Sequence, residues 1–75
     1  ETTYYIKDVI KERLALEVRN IIENRELTIN EVASTSAESR RTIASIVSGD
    51  TYFFSLDAVV NTLACLVKDL KIDYF

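Results

Sequence analysis

Arg40 and Arg41 are the only two adjacent basic residues in the 75-residue chain. They stand just ahead of Ile43, Ile46 and Val47 in the segment TSAESRRTIASIVSG, Thr35 to Gly49. A guanidinium is a planar fork shaped to bridge paired acceptors such as O6 and N7 of guanine, or to hold a phosphate. The plainer use of such a pair is a solvated helix start, set against Glu38 or Asp50, and exposed pairs of that kind contribute little to stability. The three aliphatic residues recur at i, i+3 and i+4, the inward stripe of a short helix. At about 100° per residue, Arg41, Ser45 and Ser48 then fall nearly opposite that stripe, with Arg40 and Thr42 flanking them.

Other chemistries lack their residues. There is no His and only one Cys, and the single Gly rules out a glycine-rich phosphate loop. Proton shuttles, metal cages and phosphate-cradling loops are therefore missing, no pair of carboxylates has a catalytic setting, and neither an enzyme nor a cofactor is expected. Cys65 cannot close an internal disulfide, and its neighbours Leu63, Ala64, Leu66 and Val67 predict a buried structural thiol in an intracellular, cytoplasmic protein. No apolar run approaches the ~20 residues of a membrane span, and no signal peptide is visible. With no Met present, residue 1 is not expected to be the translation start.

Nine Lys and Arg against twelve Asp and Glu leave a net charge of −3. That balance argues against a protein that coats nucleic acid by bulk charge. Residues 1–26 carry five bases and six acids, residues 27–49 two and two, and residues 50–75 two and four. Any contact with DNA must be focused.

The elements that would position the arginines are helical. The composition, 48% hydrophobic with one Gly and no Pro, lacks the turn-formers of a many-stranded sheet. Ile6, Ile10, Leu14, Val18, Ile21 and Ile22 follow steps of three or four and predict an amphipathic first helix over 8–25. Residues 1–7 precede it as an arm, a strand or a ragged first turn, with Tyr4 and Tyr5 covering core or interface. Thr28 and Glu31 form a capping-box pattern that starts a second helix over 28–36, with Ile29, Val32, Ala33 and Ser36 inward. Ser39 caps a third helix over 39–48, which closes at Gly49. Ser55 caps a fourth over 55–68, with Asp57 in its first turn and Leu56, Val59, Val60, Leu63, Ala64 and Val67 as its apolar face. The alternation in LKIDYF predicts a strand over 69–75 that pairs with the arm or with its own copy.

Two short helices joined by a tight turn, the second presenting small polar and basic residues, form a helix-turn-helix. From Leu27 onward the chain resembles the lambda-repressor-like, or XRE-type, family of bacterial and phage regulators. The matching residues are Leu27 and Thr28, Glu31, Ala33, Ser39, Ile43, Ile46 and Gly49. The stretch FSLDAVVNTLACLVKDLKI is similar to the branch that includes helix-turn-helix antitoxins. The resemblance implies one mainly α domain of four to five helices with a short C-terminal β-strand. It also implies a sequence-specific transcriptional regulator that binds the major groove of a palindromic operator as a homodimer, with a toxin as a possible further partner. Where the family usually has Gln, Gly and an aliphatic residue, this chain has Ile29, Ala37 and Glu38.

On this reading the DNA-binding residues are Thr28, Ser39, Arg40, Arg41, Thr42, Ser45, Ser48 and Tyr52. Arg40 and Arg41 reach base edges. Backbone amides at the helix starts and around Tyr52 to Phe54 hold phosphates without net positive charge, and Phe53 and Phe54 plug the core. The alternative is a protein-interaction or dimerisation module on the same fold that has lost DNA binding.

Overall fold

Three of the predicted cap residues start helices. The computed structural model describes the backbone of residues 2–73 and the side chains of residues 6–73. Its four helices are α1 (Thr2–Asn24), α2 (Ile29–Ser36), α3 (Arg40–Ser48) and α4 (Leu56–Asp69), with a 3-10 turn at Thr51–Phe53 between α3 and α4. Thr28 Oγ1 accepts from the Glu31 amide at 3.1 Å while Glu31 Oε1 accepts from the Thr28 amide at 2.8 Å, which completes the capping box. Ser39 and Ser55 accept from the amides of Thr42 and Ala58, each at 3.1 Å. Every such cap satisfies a backbone donor that the helix leaves free, typically worth about 1 kcal/mol.

Helix ends are closed by left-handed residues, and only Gly49, at φ 80°, is a glycine. Glu26, Ala37 and Lys71 take φ of 52°, 58° and 54°. After α1 the Leu27 amide donates to the Ile22 carbonyl at 3.0 Å. After α3 the Asp50 amide donates to the Ser45 carbonyl at 3.0 Å, and after α4 the Ile72 amide donates to the Val67 carbonyl at 3.0 Å. This six-to-one bond is the Schellman closure.

One core joins all four helices. It contains Ala15, Val18 and Ile22 of α1, Val32 and Ala33 of α2, and Ile43 and Ile46 of α3. Phe54 and the α4 residues Val59, Leu63 and Leu66 complete it. The long helices α1 and α4 pack together, and α2 and α3 pack on each other against them. The two buried polar side chains are satisfied within their own helices: Ser36 Oγ donates to the Val32 carbonyl at 2.7 Å, and Thr62 Oγ1 to the Ala58 carbonyl at 2.8 Å.

Several expectations need correction. Among the described residues there is no strand. Leu70 and Ile72 are half-buried and Lys71 and Asp73 exposed, so the alternation is real, but the backbone bonds return to α4 instead of reaching a neighbouring strand. Tyr74 and Phe75 lie outside the described residues, as do the side chains of Tyr4 and Tyr5. The 1–7 segment is neither arm nor strand, because α1 already begins at Thr2. Extending an existing helix is much easier than nucleating one, which overrides the weak β preference of Thr and Tyr. The inward face of α1 excludes Ile6 and Ile10, which are exposed. In α4 the stripe turns toward Thr62 and Leu66 and leaves Val60 and Ala64 exposed. Cys65 is half-buried rather than fully buried, and its thiol donates to Asn61 Oδ1 at 3.7 Å. No described helix is long and apolar enough to cross a membrane.

Candidate nucleic-acid interface

Ile43 and Ile46, each fully buried, fix the inner side of α3. Arg40, Arg41 and Ser48 are exposed, as the spacing predicts, whereas Ser45, expected nearly opposite the buried stripe, and Val47, expected within it, are both half-buried, as is Thr42. Side-chain hydrogen bonds of this segment run among Ser39, Thr42, Ser45, Ser48 and neighbouring carbonyls. Among the described residues none of them uses the guanidinium of Arg40 or Arg41. Glu38, one of the acids that could have drawn them back, is turned toward α4, where its Oε2 accepts from Asn61 Nδ2 at 3.0 Å.

The hydroxyls around the arginines are differently committed. Ser45 Oγ donates to the Arg41 carbonyl at 2.9 Å and Ser48 Oγ to the Ser45 carbonyl at 3.1 Å. With their protons used, these two present lone pairs outward, a match for the amino groups of adenine or cytosine and a mismatch for phosphate oxygens. Ser39 Oγ lies 2.9 Å from Thr42 Oγ1 and also accepts from the Thr42 amide. Thr28 is exposed at the start of α2, its oxygen held by the Glu31 amide. Tyr52, 95% exposed, keeps its hydroxyl in solvent.

The aromatic loop divides between core and surface. Phe54 is buried, whereas Phe53 is 59% exposed. Residue 53 ends the 3-10 turn, and only the extended backbone at Phe54, φ −143°, drops a ring inward. Phe53 is therefore not the core plug expected from its type.

Three positioning residues carry no obvious sequence signal. Lys11 of α1 donates from Nζ to the Thr51 carbonyl at 2.9 Å and the Phe54 carbonyl at 3.2 Å, with Nζ 5.6 Å from the centre of the Phe54 ring. It pins the 3-10 turn that displays Tyr52. Asn61 of α4 donates to the Ser36 carbonyl at 2.8 Å as well as to Glu38, thereby holding both sides of the turn between α2 and α3. Arg19 of α1 lies against Gly49 at the end of α3, where a positive charge complements the helix dipole. Its buried Nε has no hydrogen-bond partner among the described residues. In the sequence, all three read as surface polar residues of amphipathic helices.

The Ile29 and Ala37 departures are absorbed locally. Ile29 is half-buried against the core, and Ala37 accepts the left-handed conformation at φ 58°. Among the described residues no cluster of His, Cys, Asp and Glu could hold a metal ion. Comparisons with models of protein families, with curated proteins and with solved structures gave no match for this chain.

Proposed function

We propose that the chain is a sequence-specific DNA-binding regulator of transcription, a repressor or antitoxin-like autoregulator of the lambda-repressor-like helix-turn-helix kind. It places α3 in the major groove and binds a palindromic operator as a homodimer. The observation that carries this reading is the pair of exposed guanidinium groups on the first turn of α3, with Glu38 drawn away from them to Asn61. The N-terminal turn of such a helix is the part that meets base edges. Two arginines there supply bidentate contacts to guanine, while the acidic remainder keeps non-specific affinity low.

The test is selection of bound sequences from a random duplex library, followed by titration of the winner at two salt concentrations. A palindromic site with guanine near the centre of each half-site, bound more weakly at the higher salt, is expected. Absence of any enriched duplex would favour the protein-interaction module instead.

A further inference from the structure

The outer side of α3 carries one apolar residue among its polar ones. At about 100° per residue, Ala44 lies about 60° round the helix from Arg41, with Ser48 falling between the two in projection. Thr42 and Val47, which also carry methyl groups, lie further round, at about 100° and 120° from Arg41, and Ile43 and Ile46 are buried. Ala44 is half-buried. Part of it therefore stays open, beside an exposed Arg41 and an exposed Ser48.

Along its axis this side of α3 changes chemistry. Arg40 and Arg41 on the first turn are donors only. Ser45 and Ser48 present acceptors, because their protons go to the Arg41 and Ser45 carbonyls. Ala44 offers only a methyl group. An outward lone pair suits the amino group of adenine or of cytosine and does not tell them apart, whereas a methyl does, since thymine shows a C5-methyl group in the major groove and cytosine does not. Guanine or adenine facing Ala44 would set an N7 acceptor against a methyl group, desolvated and unpaired. Ala44 and Ser48 are one turn apart, about 6 Å along the axis, against about 3.4 Å per base step. Both therefore address one base pair or two neighbouring ones, and a T·A pair, with its methyl on one base and its amino group on the other, meets both.

We infer that Ala44 is a specificity-determining residue that takes the C5-methyl group of a thymine, within about two base steps of the guanine met by the arginines. The inference rests on the DNA reading and narrows it: a T·A pair stands at that place in each half-site, not merely any pair with an amino group. The ligand chemistry is a 5-methyl pyrimidine, so 5-methylcytosine is accepted there in preference to cytosine.

The experiment uses the full chain and the duplex returned by selection, with binding followed by fluorescence anisotropy. Each thymine of the half-site is replaced in turn by deoxyuridine, which removes the C5-methyl group and nothing else. At one thymine near the guanine, binding is expected to weaken about fourfold, the value of one buried methyl group. With cytosine put at that place, its 5-methyl form binds about fourfold tighter than cytosine itself. Ala44→Gly abolishes both differences. Each difference is a ratio measured on one protein, so the helix stability that glycine costs weakens both duplexes alike and cancels. Equal binding of thymine and deoxyuridine duplexes at every position overturns the inference, as does a difference that persists in Ala44→Gly. A selected duplex that loses affinity with Arg41→Ala yet is indifferent to deoxyuridine removes the Ala44 assignment and leaves the DNA reading standing. Selection that enriches no duplex removes both.

Discussion

Arg19 and Gly49 meet at the end of α3: a Cβ placed on residue 49 would sit 3.2 Å from Arg19 Nη1. Gly49 is thus required twice, once by its φ of 80° and once by the side chain pressed against it. Gly49→Ala should lower stability by about 1–2 kcal/mol from the left-handed backbone alone. The displaced guanidinium adds to this. For a domain of this size each kcal/mol shifts the melting temperature by roughly 4–8 °C. Combining Gly49→Ala with Arg19→Ala should remove the steric part and leave the backbone part, so thermal melts of the two single variants and the double variant should be non-additive.

Ala37 has the opposite sign. Its φ of 58° is adopted by a residue with a Cβ at the end of α2. Ala37→Gly relieves that strain at some cost in unfolded-state entropy, and should raise stability by about 0.5–1 kcal/mol in denaturant unfolding. A loss of stability would show that the alanine methyl contributes packing that outweighs the strain.

How much of this could be read from the sequence depended on range. The caps at Thr28, Ser39 and Ser55 and the buried side of α3 follow from spacings of three and four residues, so each was legible. The start of α1 and the ending at Lys71 were misread because local β preference and alternation were weighed without the neighbouring helix, whose extension and closure decide the outcome. Lys11, Asn61 and Arg19 act on residues 23 to 43 positions away in the chain. Periodicity carries no information about such partners. Glu38, an apparent obstacle beside the arginines, is explained only by Asn61.

Asn61 should therefore matter to the turn more than its exposure suggests. Asn61→Ala leaves the Ser36 carbonyl and the Glu38 carboxylate to water, a loss of about 1–2 kcal/mol for two partly exposed hydrogen bonds. Asn61→Asp should be worse, since it places a second carboxylate beside Glu38, and added salt should recover part of the difference. Urea unfolding at low and high ionic strength separates the two variants. Equal losses at both ionic strengths would mean that Glu38 swings free of Asn61 in solution, where it could approach Arg40 or Arg41.

That possibility bears directly on the arginines. Arg41 lies opposite the buried Ile43 and Ile46, so Arg41→Ala leaves the core intact and should keep the melting temperature unchanged. Each bidentate contact to guanine supplies about 1–3 kcal/mol of discrimination. On the selected duplex, Arg40→Ala or Arg41→Ala should therefore weaken binding by about 5- to 150-fold, and the preference for guanine at one position of each half-site should disappear. A phosphate contact would behave differently, weakening all duplexes alike and lowering the salt dependence of binding. Ser45→Ala should leave overall affinity nearly unchanged while relaxing choice at a neighbouring adenine or cytosine, because the Ser45 proton is already given to the Arg41 carbonyl. Fluorescence anisotropy of these variants on matched duplexes measures all three effects. If Arg41→Ala binds every duplex as the unaltered chain does, the outer side of α3 is not the surface that reads sequence.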